Sequence, residues 1–335
     1  MSLKSEVQGI RMSHSELTRR QWLLSGGVFG TAAVLAAEIG AAADNGPQAA
    51  QVPVPASHEP FGYCLNTSTI RGQHLDLPAQ IDVVAAAGYS AAELWVGDIE
   101  AFVKKGGSIR DLANRIRDRG LTIPSTISFF RWLSDDMAER ARGLEQAKRE
   151  MDLVRRLGAT RIAAPPAGGT ERRLDLLEAA RRYGELVYLG NSFGVVPQLE
   201  LWGFSKSLSR VGEVACVAME SGRPEACLLL DVYHIYKGGS DFHALRFLNG
   251  AAMHVLHMND YPAVPSRAHI NDAARVFPGD GVAPLRMILR TLRDVGFRGF
   301  LSLELFNPDY WKQDPHLLAR TGLRKMKAAV QAALS

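Results

Sequence analysis

The chain lacks several features that would assign it to a familiar class at once. It has three cysteines and no Cys-x-x-Cys pair, which excludes a disulfide scaffold. It contains neither a Gly-x-Gly-x-x-Gly run nor a P-loop, so the common nucleotide-binding turns are absent from the sequence. The formal net charge of +4 is small for 335 residues, and the basic residues are scattered singly or in pairs. This charge pattern predicts no nucleic-acid partner.

The apolar stretch near the N-terminus is too short and too rich in Gly and Ala to span a membrane stably. Arg19 and Arg20 precede it, and small residues up to Ala43 follow it. This pattern predicts a twin-arginine-type signal peptide over residues 1–43, with export through the Tat translocase to a periplasmic or other extracytoplasmic location. A chance Arg-Arg pair before an apolar helix is the alternative. Residues 44–60, rich in Pro and Ala, are predicted to be a linker.

From Phe61 to the C-terminus, strand-like and helix-like patterns alternate, as in a parallel sheet with crossover helices. We predict an α/β fold over residues 61–335, specifically a closed (β/α)8 TIM barrel, with an open doubly wound sheet as the alternative. The predicted strands are Phe61–Asn66, Ala91–Val96, Thr122–Ser128, Thr160–Ala164, Gly194–Leu201, Ala226–Asp231, Ala252–Asn259 and Gly299–Leu305. The predicted helices are Leu77–Ala87, Ile109–Arg119, Met137–Leu157, Arg172–Leu189, Ser207–Ser221, a shorter one near Phe242–Leu248, Pro284–Val295 and Pro315–Leu334.

The last four predicted strands each carry one ionisable residue near the end of an apolar run: Glu200, Asp231, His257 and Glu304. A charge in such a position is costly unless it is paired or bound to an ion. In a barrel these four strand ends meet at one mouth, where active sites lie. Three carboxylates and an imidazole predict a site for one divalent cation, with Mn²⁺ favoured and Co²⁺, Mg²⁺ or Zn²⁺ as alternatives.

Two further polar residues are predicted to contact substrate. His234 follows Asp231 by three residues and leaves the strand just past the predicted ligand; a capping histidine is the alternative. Arg275 lies in a loop, residues 272–281, that contains a Pro-Gly turn and can fold over the mouth. Its guanidinium could then bind substrate oxygens in a bidentate manner, whereas a solvated surface arginine is the alternative.

Aromatic residues lie at or just beyond several strand ends. Trp132 and Trp202, like Trp95, could wall the mouth and stack on a sugar ring, or could be ordinary barrel packing. Glu93 in the second strand is a candidate for supporting a metal ligand. His254 lies on the opposite face of its strand from His257, which favours a structural role.

This set of motifs resembles the sugar phosphate isomerase/epimerase superfamily, whose members are xylose isomerase-like TIM barrels. The last segments look closest to the 2-keto-myo-inositol isomerases. Beside Glu200, the matching stretches are Leu230–His234, His257–Asp260, Asp272–Gly281 and Ser302–Tyr310. The resemblance implies that Glu200, Asp231, His257 and Glu304 bind one metal ion and that the two glutamates form an acid/base pair. It also implies substrate contacts from His234 and Arg275.

The predicted function is that of a divalent-metal-dependent isomerase or epimerase of a keto-sugar or keto-inositol, working by proton transfer through a metal-stabilised enediolate. A lyase or dehydratase on the same site and a non-catalytic carbohydrate-binding barrel are the alternatives. The barrel nucleases of the family bind three zinc ions with extra histidines. The second and third strands here end in Trp95-Val96 and Ser128-Phe129, which argues against a nuclease. The expected partner is a small sugar or cyclitol, and a homo-oligomer is possible.

Overall fold

The computed structural model describes residues 60–335 of the chain. The predicted signal peptide (1–43) and nearly all of the predicted linker (44–60) lie outside the described residues, so these two assignments and the predicted export stay predictions. Across residues 60–335, no helix combines the length and the apolar character needed to cross a bilayer.

Eight parallel strands form one sheet, in the order β3-β2-β1-β8-β7-β6-β5-β4. Because β1 pairs with β8, the sheet curls into a nearly closed barrel, which confirms the predicted (β/α)8 fold. The strands are β1 (Gly62–Asn66), β2 (Ala91–Trp95), β3 (Thr126–Ile127), β4 (Arg161–Ala164), β5 (Val196–Glu200), β6 (Leu228–Asp231), β7 (Met253–Met258) and β8 (Phe300–Leu303).

Strand β3 is much shorter than the predicted strand Thr122–Ser128. Pro124 interrupts that segment, and because proline has no N–H it cannot donate to a ladder on either side. The contact between β3 and β4 is the weakest one between neighbouring strands of the barrel. In residues 60–335 no ladder joins β3 to β4, and the Thr126 hydroxyl instead donates to the Arg161 carbonyl at 3.4 Å.

The helices that surround the sheet are α1 (Leu77–Ala87), α2 (Val96–Lys104), α3 (Ile109–Asp118), α4 (Met137–Leu157), α5 (Leu176–Asn191), α6 (Val211–Glu220), α7 (Val232–Gly238), α8 (Leu285–Asp294) and α9 (Pro315–Leu334). The bounds of α1, α4 and α9 were predicted correctly. An aspartate precedes each of these three, and its carboxylate accepts a hydrogen bond from a backbone N–H of the first turn. Such caps are local signals, which is why the sequence reveals them.

Two helices were missed, and one predicted helix is of the 3₁₀ type. Helices α2 and α7 begin directly after β2 and β6 without a loop, so their apolar residues continue the pattern of the strand. The segment predicted as a helix near Phe242–Leu248 is a 3₁₀ helix at Phe242–Phe247. Further 3₁₀ turns lie at Thr67–Gln73, Gly250–Ala252, Asp272–Ala274 and Tyr310–Lys312.

The barrel interior is layered, because alternate residues of each strand point inward. One apolar layer contains Leu229, Val255 and Phe300, which occupy paired positions on neighbouring strands. Two residues further along the same strands, Asp231 pairs with His257 and His257 with Ser302. A polar layer therefore lies directly on the apolar one, at the ends of the strands where barrel active sites occur.

Candidate metal centre

Three of the four predicted metal ligands meet at the mouth of the barrel. Asp231, His257 and Glu304 each offer a ligand atom, and these atoms all lie within 4.8 Å of one another. All three side chains are buried. Asp231 ends β6, His257 lies near the end of β7 and Glu304 directly follows β8. The register of the sheet brings them together, as the alternating sequence pattern predicted.

His257 presents one nitrogen to the protein and the other to the mouth. Its Nε2 lies 3.0 Å from Glu93 Oε2. Its Nδ1 lies 3.2 Å from Glu304 Oε2 and 3.6 Å from Asp231 Oδ2, without a hydrogen bond of normal geometry. Burial opposes a charge here, but the carboxylates of Glu304 and Glu93 outweigh it and hold the pKa of His257 well above its usual value. The carboxylates make this pocket attractive to a cation, and Nδ1, which has no hydrogen bond of normal geometry, could bind a metal ion that displaces its proton.

Glu93, only a supporting candidate in the sequence, is a central residue of the site. Its Oε2 accepts hydrogen bonds from Asn66 Nδ2 at 3.0 Å and from Ser302 Oγ at 2.8 Å, in addition to its contact with His257. Burial alone would raise the pKa of Glu93, but His257 and these donors lower it, so the carboxylate is ionised. A carboxylate that orients a metal-binding imidazole in this way is a recurrent feature of metal sites.

The sequence did not single out Ser302 as a site residue. It lies two residues before Glu304 and therefore on the same, inward face of β8. This alternation along the strand could have identified Ser302 from the sequence. The amide of Asn66 also donates to Glu304 Oε1 at 3.1 Å. Asn66 therefore links Glu93, which contacts His257, to the predicted ligand Glu304.

Glu200, the fourth predicted ligand, ends β5 and is buried, but it lies outside the three-residue group. Its Oε2 has no hydrogen-bond partner in the described part of the chain. Burial, with a contribution from Glu304, raises the pKa of Glu200 to about 8, although His257 and the Trp202 side chain oppose the shift. Glu200 is therefore protonated at neutral pH when no metal is bound.

Arg275 reaches the mouth from the loop after β7, as predicted, and contacts the predicted metal ligands directly. Its Nη1 donates to Asp231 Oδ2 at 2.8 Å and to Glu304 Oε2 at 2.7 Å. Its Nη2 donates to Asp272 and lies 3.1 Å from His234 Nε2. The guanidinium is only 1% exposed, so it is an interior charge and not a solvated surface arginine. The loop thus brings a positive charge to two carboxylates that a metal ion would also bind.

The Arg275 loop is fastened to the end of β7 by one carboxylate. Asp260 Oδ2 accepts backbone N–H groups of Gly279 at 3.0 Å and Gly281 at 3.1 Å, and Oδ1 accepts that of Ala283 at 2.8 Å. A Cβ at Gly281 would lie 2.3 Å from Asp260 Oδ1, so only glycine permits this close approach. The loop is held over the mouth by these contacts.

His234 lies beside Arg275, in the first turn of α7. Its backbone N–H donates to Asp231 Oδ1 at 2.8 Å, while its ring Nδ1 has no partner within residues 60–335. Burial lowers the pKa of His234, and because Arg275 Nη2 is a donor, the facing Nε2 must be the acceptor of a neutral ring. A neutral His234 leaves an N–H on Nδ1 that is free to bind another group.

Aromatic residues form a continuous band at the mouth, which we call the aromatic wall. Neighbouring rings lie 5.1–6.1 Å apart, in the order Phe306, Trp95, Phe129, Trp202 and Phe204. Phe129 is 42% and Phe204 51% exposed, which is unusual for such large apolar rings. Trp202 was predicted to contact substrate and belongs to this wall.

Trp132 is not part of the aromatic wall but of the apolar core, and its predicted contact with substrate stays a prediction. It is 1% exposed, and its Nε1 donates to the Pro165 carbonyl at 2.6 Å. Its ring packs against Tyr183, 5.9 Å away. These contacts favour the alternative of ordinary barrel packing for Trp132.

Comparison with known proteins agrees with this architecture. A sequence model of the xylose isomerase-like TIM barrel family matches residues 81–329, about three quarters of the chain. The chain belongs to that family. The resemblance inferred from the strand-end motifs is thereby confirmed.

Relatives of this xylose isomerase-like barrel include different enzymes. The inosose isomerase of Bacillus velezensis is 26% identical over 277 residues, which cover 81% of this chain and 96% of the relative. The 3-dehydroshikimate dehydratase of Pseudomonas putida is 25% identical over 258 residues, covering 75% of this chain but only 39% of that enzyme. A solved structure of the IolI protein with a bound zinc atom superimposes with a TM-score of 0.76, at 22% identity, covering 82% of this chain and all of that one.

The support of His257 by Glu93 in this xylose isomerase-like barrel leads to a first prediction. Glu93→Gln should weaken the binding of a divalent metal by about 10–100-fold, because the imidazole loses the carboxylate that orients it. Isothermal titration with Mn²⁺ and Zn²⁺ measures the change. Glu150→Gln is a matched control, since Glu150 is also buried but bonds Ser128 and Gln146, and it should bind metal like the unchanged protein. Equal affinities for all three proteins would contradict the prediction.

Proposed function

We propose that this protein is a divalent-metal-dependent enzyme that moves a proton next to the carbonyl group of a keto-sugar or keto-cyclitol, as an isomerase or epimerase. The observation that carries the proposal is the pairing of a compact Asp-His-Glu ligand group with a separate buried glutamate, Glu200, at the same mouth. A site that only holds a metal has no use for a further buried carboxyl group whose Oε2 lacks a hydrogen-bond partner among residues 60–335.

The donor set supports a divalent cation. Two carboxylates and one imidazole come within ligand distance of one another, with the protonated carboxyl of Glu200 as a possible fourth ligand once it ionises. Oxygen-rich shells favour Mn²⁺, Co²⁺ or Mg²⁺, whereas the zinc atom in the IolI protein makes Zn²⁺ an equal candidate. Such an ion, when bound, polarises a carbonyl oxygen and so acidifies the neighbouring C–H group.

The two glutamates are prepared for opposite tasks in proton transfer. Glu304 accepts hydrogen bonds from Arg275 at 2.7 Å and from Asn66 at 3.1 Å, so its two oxygens face donors. Burial keeps Glu200 protonated at neutral pH. One group able to accept a proton and one able to donate it are what a 1,2-shift of hydrogen or an inversion requires.

The mouth combines apolar ring faces with polar groups. The aromatic wall supplies the rings, and beside it His234 and Arg275 supply polar groups next to the buried carboxylates. A sugar or cyclitol ring has C–H faces that stack on aromatic rings and hydroxyl groups that need polar partners. This combination supports a cyclic polyol with a keto group as the substrate class.

A dehydratase reaction is the second candidate. Loss of water next to a carbonyl also begins with removal of an α-proton, and a 3-dehydroshikimate dehydratase is among the relatives. The same pair of glutamates would remove the proton and protonate the departing hydroxyl. Only the product distinguishes this reaction from isomerisation.

The test is hydrogen exchange in D₂O. The protein loaded with Mn²⁺ or Zn²⁺ is incubated with myo-inosose, a panel of ketoses and 3-dehydroshikimate, and NMR follows deuterium uptake beside the carbonyl. We expect metal-dependent uptake with at least one of them, and the product then separates isomerase, epimerase and dehydratase. A protein that binds metal but exchanges no proton in any of these compounds would overturn the proposal in favour of a carbohydrate-binding barrel.

A further inference from the structure

A second cavity lies at the opposite end of the barrel from the metal centre. It has a volume of about 290 Å³, and Arg161, Met253 and Phe300, the first residues of β4, β7 and β8, are part of its lining. The predicted metal ligands lie at the other ends of their strands, so this cavity is separate from the mouth.

The lining of this cavity carries positive charge without a counter-charge. Three of its ten lining residues, Arg161, His254 and Arg298, are basic, and none is acidic. None of the three takes part in an ion pair with another of the described residues, although 22 such pairs occur there. Burial, with a smaller contribution from Arg161, lowers the pKa of His254 to about 3, so the positive charge of the lining comes from the two arginines and His254 offers a neutral ring.

Two other arginines that are buried in this protein have carboxylate partners. Arg182, 8% exposed, pairs with Asp135 and Glu178, and Arg275 contacts three carboxylates. Arg161 is partly buried, yet its Nε has no hydrogen-bond partner in the region the structure describes and its Nη1 reaches only the Thr160 hydroxyl, at 3.4 Å. A guanidinium removed from water is costly without a negative partner.

The neighbouring groups leave room for such a partner. Arg298 stands at the exposed rim and uses its Nη1 for the carbonyl oxygens of Phe297, at 2.8 Å, and Arg293, at 3.4 Å. A guanidinium presents its N–H groups in a plane that matches the oxygens of phosphate, sulfate or carboxylate.

We propose that this cavity is a binding site for a small oxyanion, held between Arg161, His254 and Arg298. Phosphate, sulfate and carboxylate groups share the chemistry that these residues recognise. The cavity is larger than one such group, so the oxyanion could be part of a larger molecule such as a phosphate ester or a small dicarboxylate. The site does not depend on the proposed enzymatic function, because none of its residues touches the metal centre.

Calorimetric titration with inorganic phosphate, sulfate and malonate tests this site at constant ionic strength in HEPES buffer, with EDTA present. We expect saturable binding of at least one anion to the full chain, and a loss of about tenfold or more in affinity in Arg161→Gln, which loses a charged hydrogen-bond donor. Arg320→Gln changes an exposed arginine of α9 and should bind like the unchanged protein. The preferred anion identifies the source, since phosphate favours a phosphate ester and malonate favours a dicarboxylate.

Thermal unfolding gives a second, independent readout. Without added anion, Arg161→Gln should unfold at the same temperature as the unchanged protein or higher, because an unpaired interior charge is gone. Saturating anion should raise the unfolding temperature of the unchanged protein and leave that of Arg161→Gln nearly constant. Equal increases in both proteins, or no saturable binding of any of the three anions, would overturn the proposal.

If Arg161→Gln does not fold, NMR of the histidine rings in the unchanged protein replaces it. The His254 signals, assigned by their absence in His254→Gln, should move with saturating anion, and the signals of exposed His243 should stay in place. Equal movement of both signals would indicate a general salt effect and would contradict the site.

Discussion

Glu200→Gln should reduce metal-dependent proton exchange by about 10²–10⁴-fold while the protein still binds its metal ion. Glutamine keeps the size of the side chain but can neither take up nor release the proton. The metal should remain because the compact ligand group is Asp231, His257 and Glu304, without Glu200. Deuterium uptake measured by NMR, together with metal titration of the same variant, checks both parts of the expectation.

Glu304→Gln is the matched comparison. It removes a carboxylate that lies within the ligand group and also accepts from Arg275, so metal affinity and exchange should fall together. If Glu200→Gln lost metal to the same degree as Glu304→Gln, Glu200 would be a metal ligand. Its effect on proton exchange could then be explained by the loss of the metal alone. If its exchange rate were unchanged, Glu200 would have no part in proton transfer.

The pH dependence of the stability of the metal-free Glu200→Gln protein tests whether burial raises the pKa of Glu200. Folding raises the pKa of Glu200 from 4.5 to about 8, so the folded state holds a proton that the unfolded state releases in that range. Stability of the unchanged protein therefore falls, through this group, as pH rises from about 4.5 to about 8. The variant has no such loss, so the difference in unfolding free energy should grow in its favour over that window.

Arg275→Met should destabilise the metal-free protein by about 3–5 kcal/mol, and a divalent metal ion should recover much of the loss. The guanidinium is 1% exposed and contacts Asp231, Glu304 and Asp272, so its removal leaves interior carboxylates without a counter-charge. A metal ion held by Asp231 and Glu304 supplies that charge again. Urea unfolding in EDTA and in saturating Mn²⁺ or Zn²⁺ measures both values.

Arg182→Met is the control for this experiment. Arg182 is also buried and pairs with Asp135 and Glu178, and none of its partners is a predicted metal ligand. This variant should lose stability too, but metal should not reduce the difference from the unchanged protein. An Arg275→Met protein whose deficit is the same with and without metal would show that Arg275 and the metal do not share Asp231 and Glu304.

The arrangement around Arg275 suggests how the loop and the metal are coupled. Nη1 lies between two carboxylates that a metal would also use, at 2.8 and 2.7 Å. A metal ion bound by Asp231 and Glu304 would therefore compete with Arg275 for the same carboxylate oxygens. The loop itself stays bound through Asp260, whose contacts with the backbone of Gly279, Gly281 and Ala283 do not involve the site.

The amino-acid sequence by itself determined the alternation of strands and helices, and with it the barrel. It also determined that Glu200, Asp231, His257 and Glu304 belong to one mouth. These are local properties, because an apolar run, its length and the polar residue that ends it are read within about ten residues. The helices capped by Asp76, Asp136 and Asp314 were predicted to the residue for the same reason.

Only the tertiary structure decided how these residues are paired. His257 and Glu93 are 164 positions apart, and Asn66 and Glu304 are 238 apart, so no local pattern could join them. Arg275 was identified as a loop residue, but its burial against Asp231 and Glu304 depends on how the loop folds over the barrel. Trp132 and Trp202 have similar sequence surroundings, yet one is core and the other lines the mouth. Burial and pairing follow from contacts across the whole chain, whereas periodicity records only which face of a strand or helix a residue occupies.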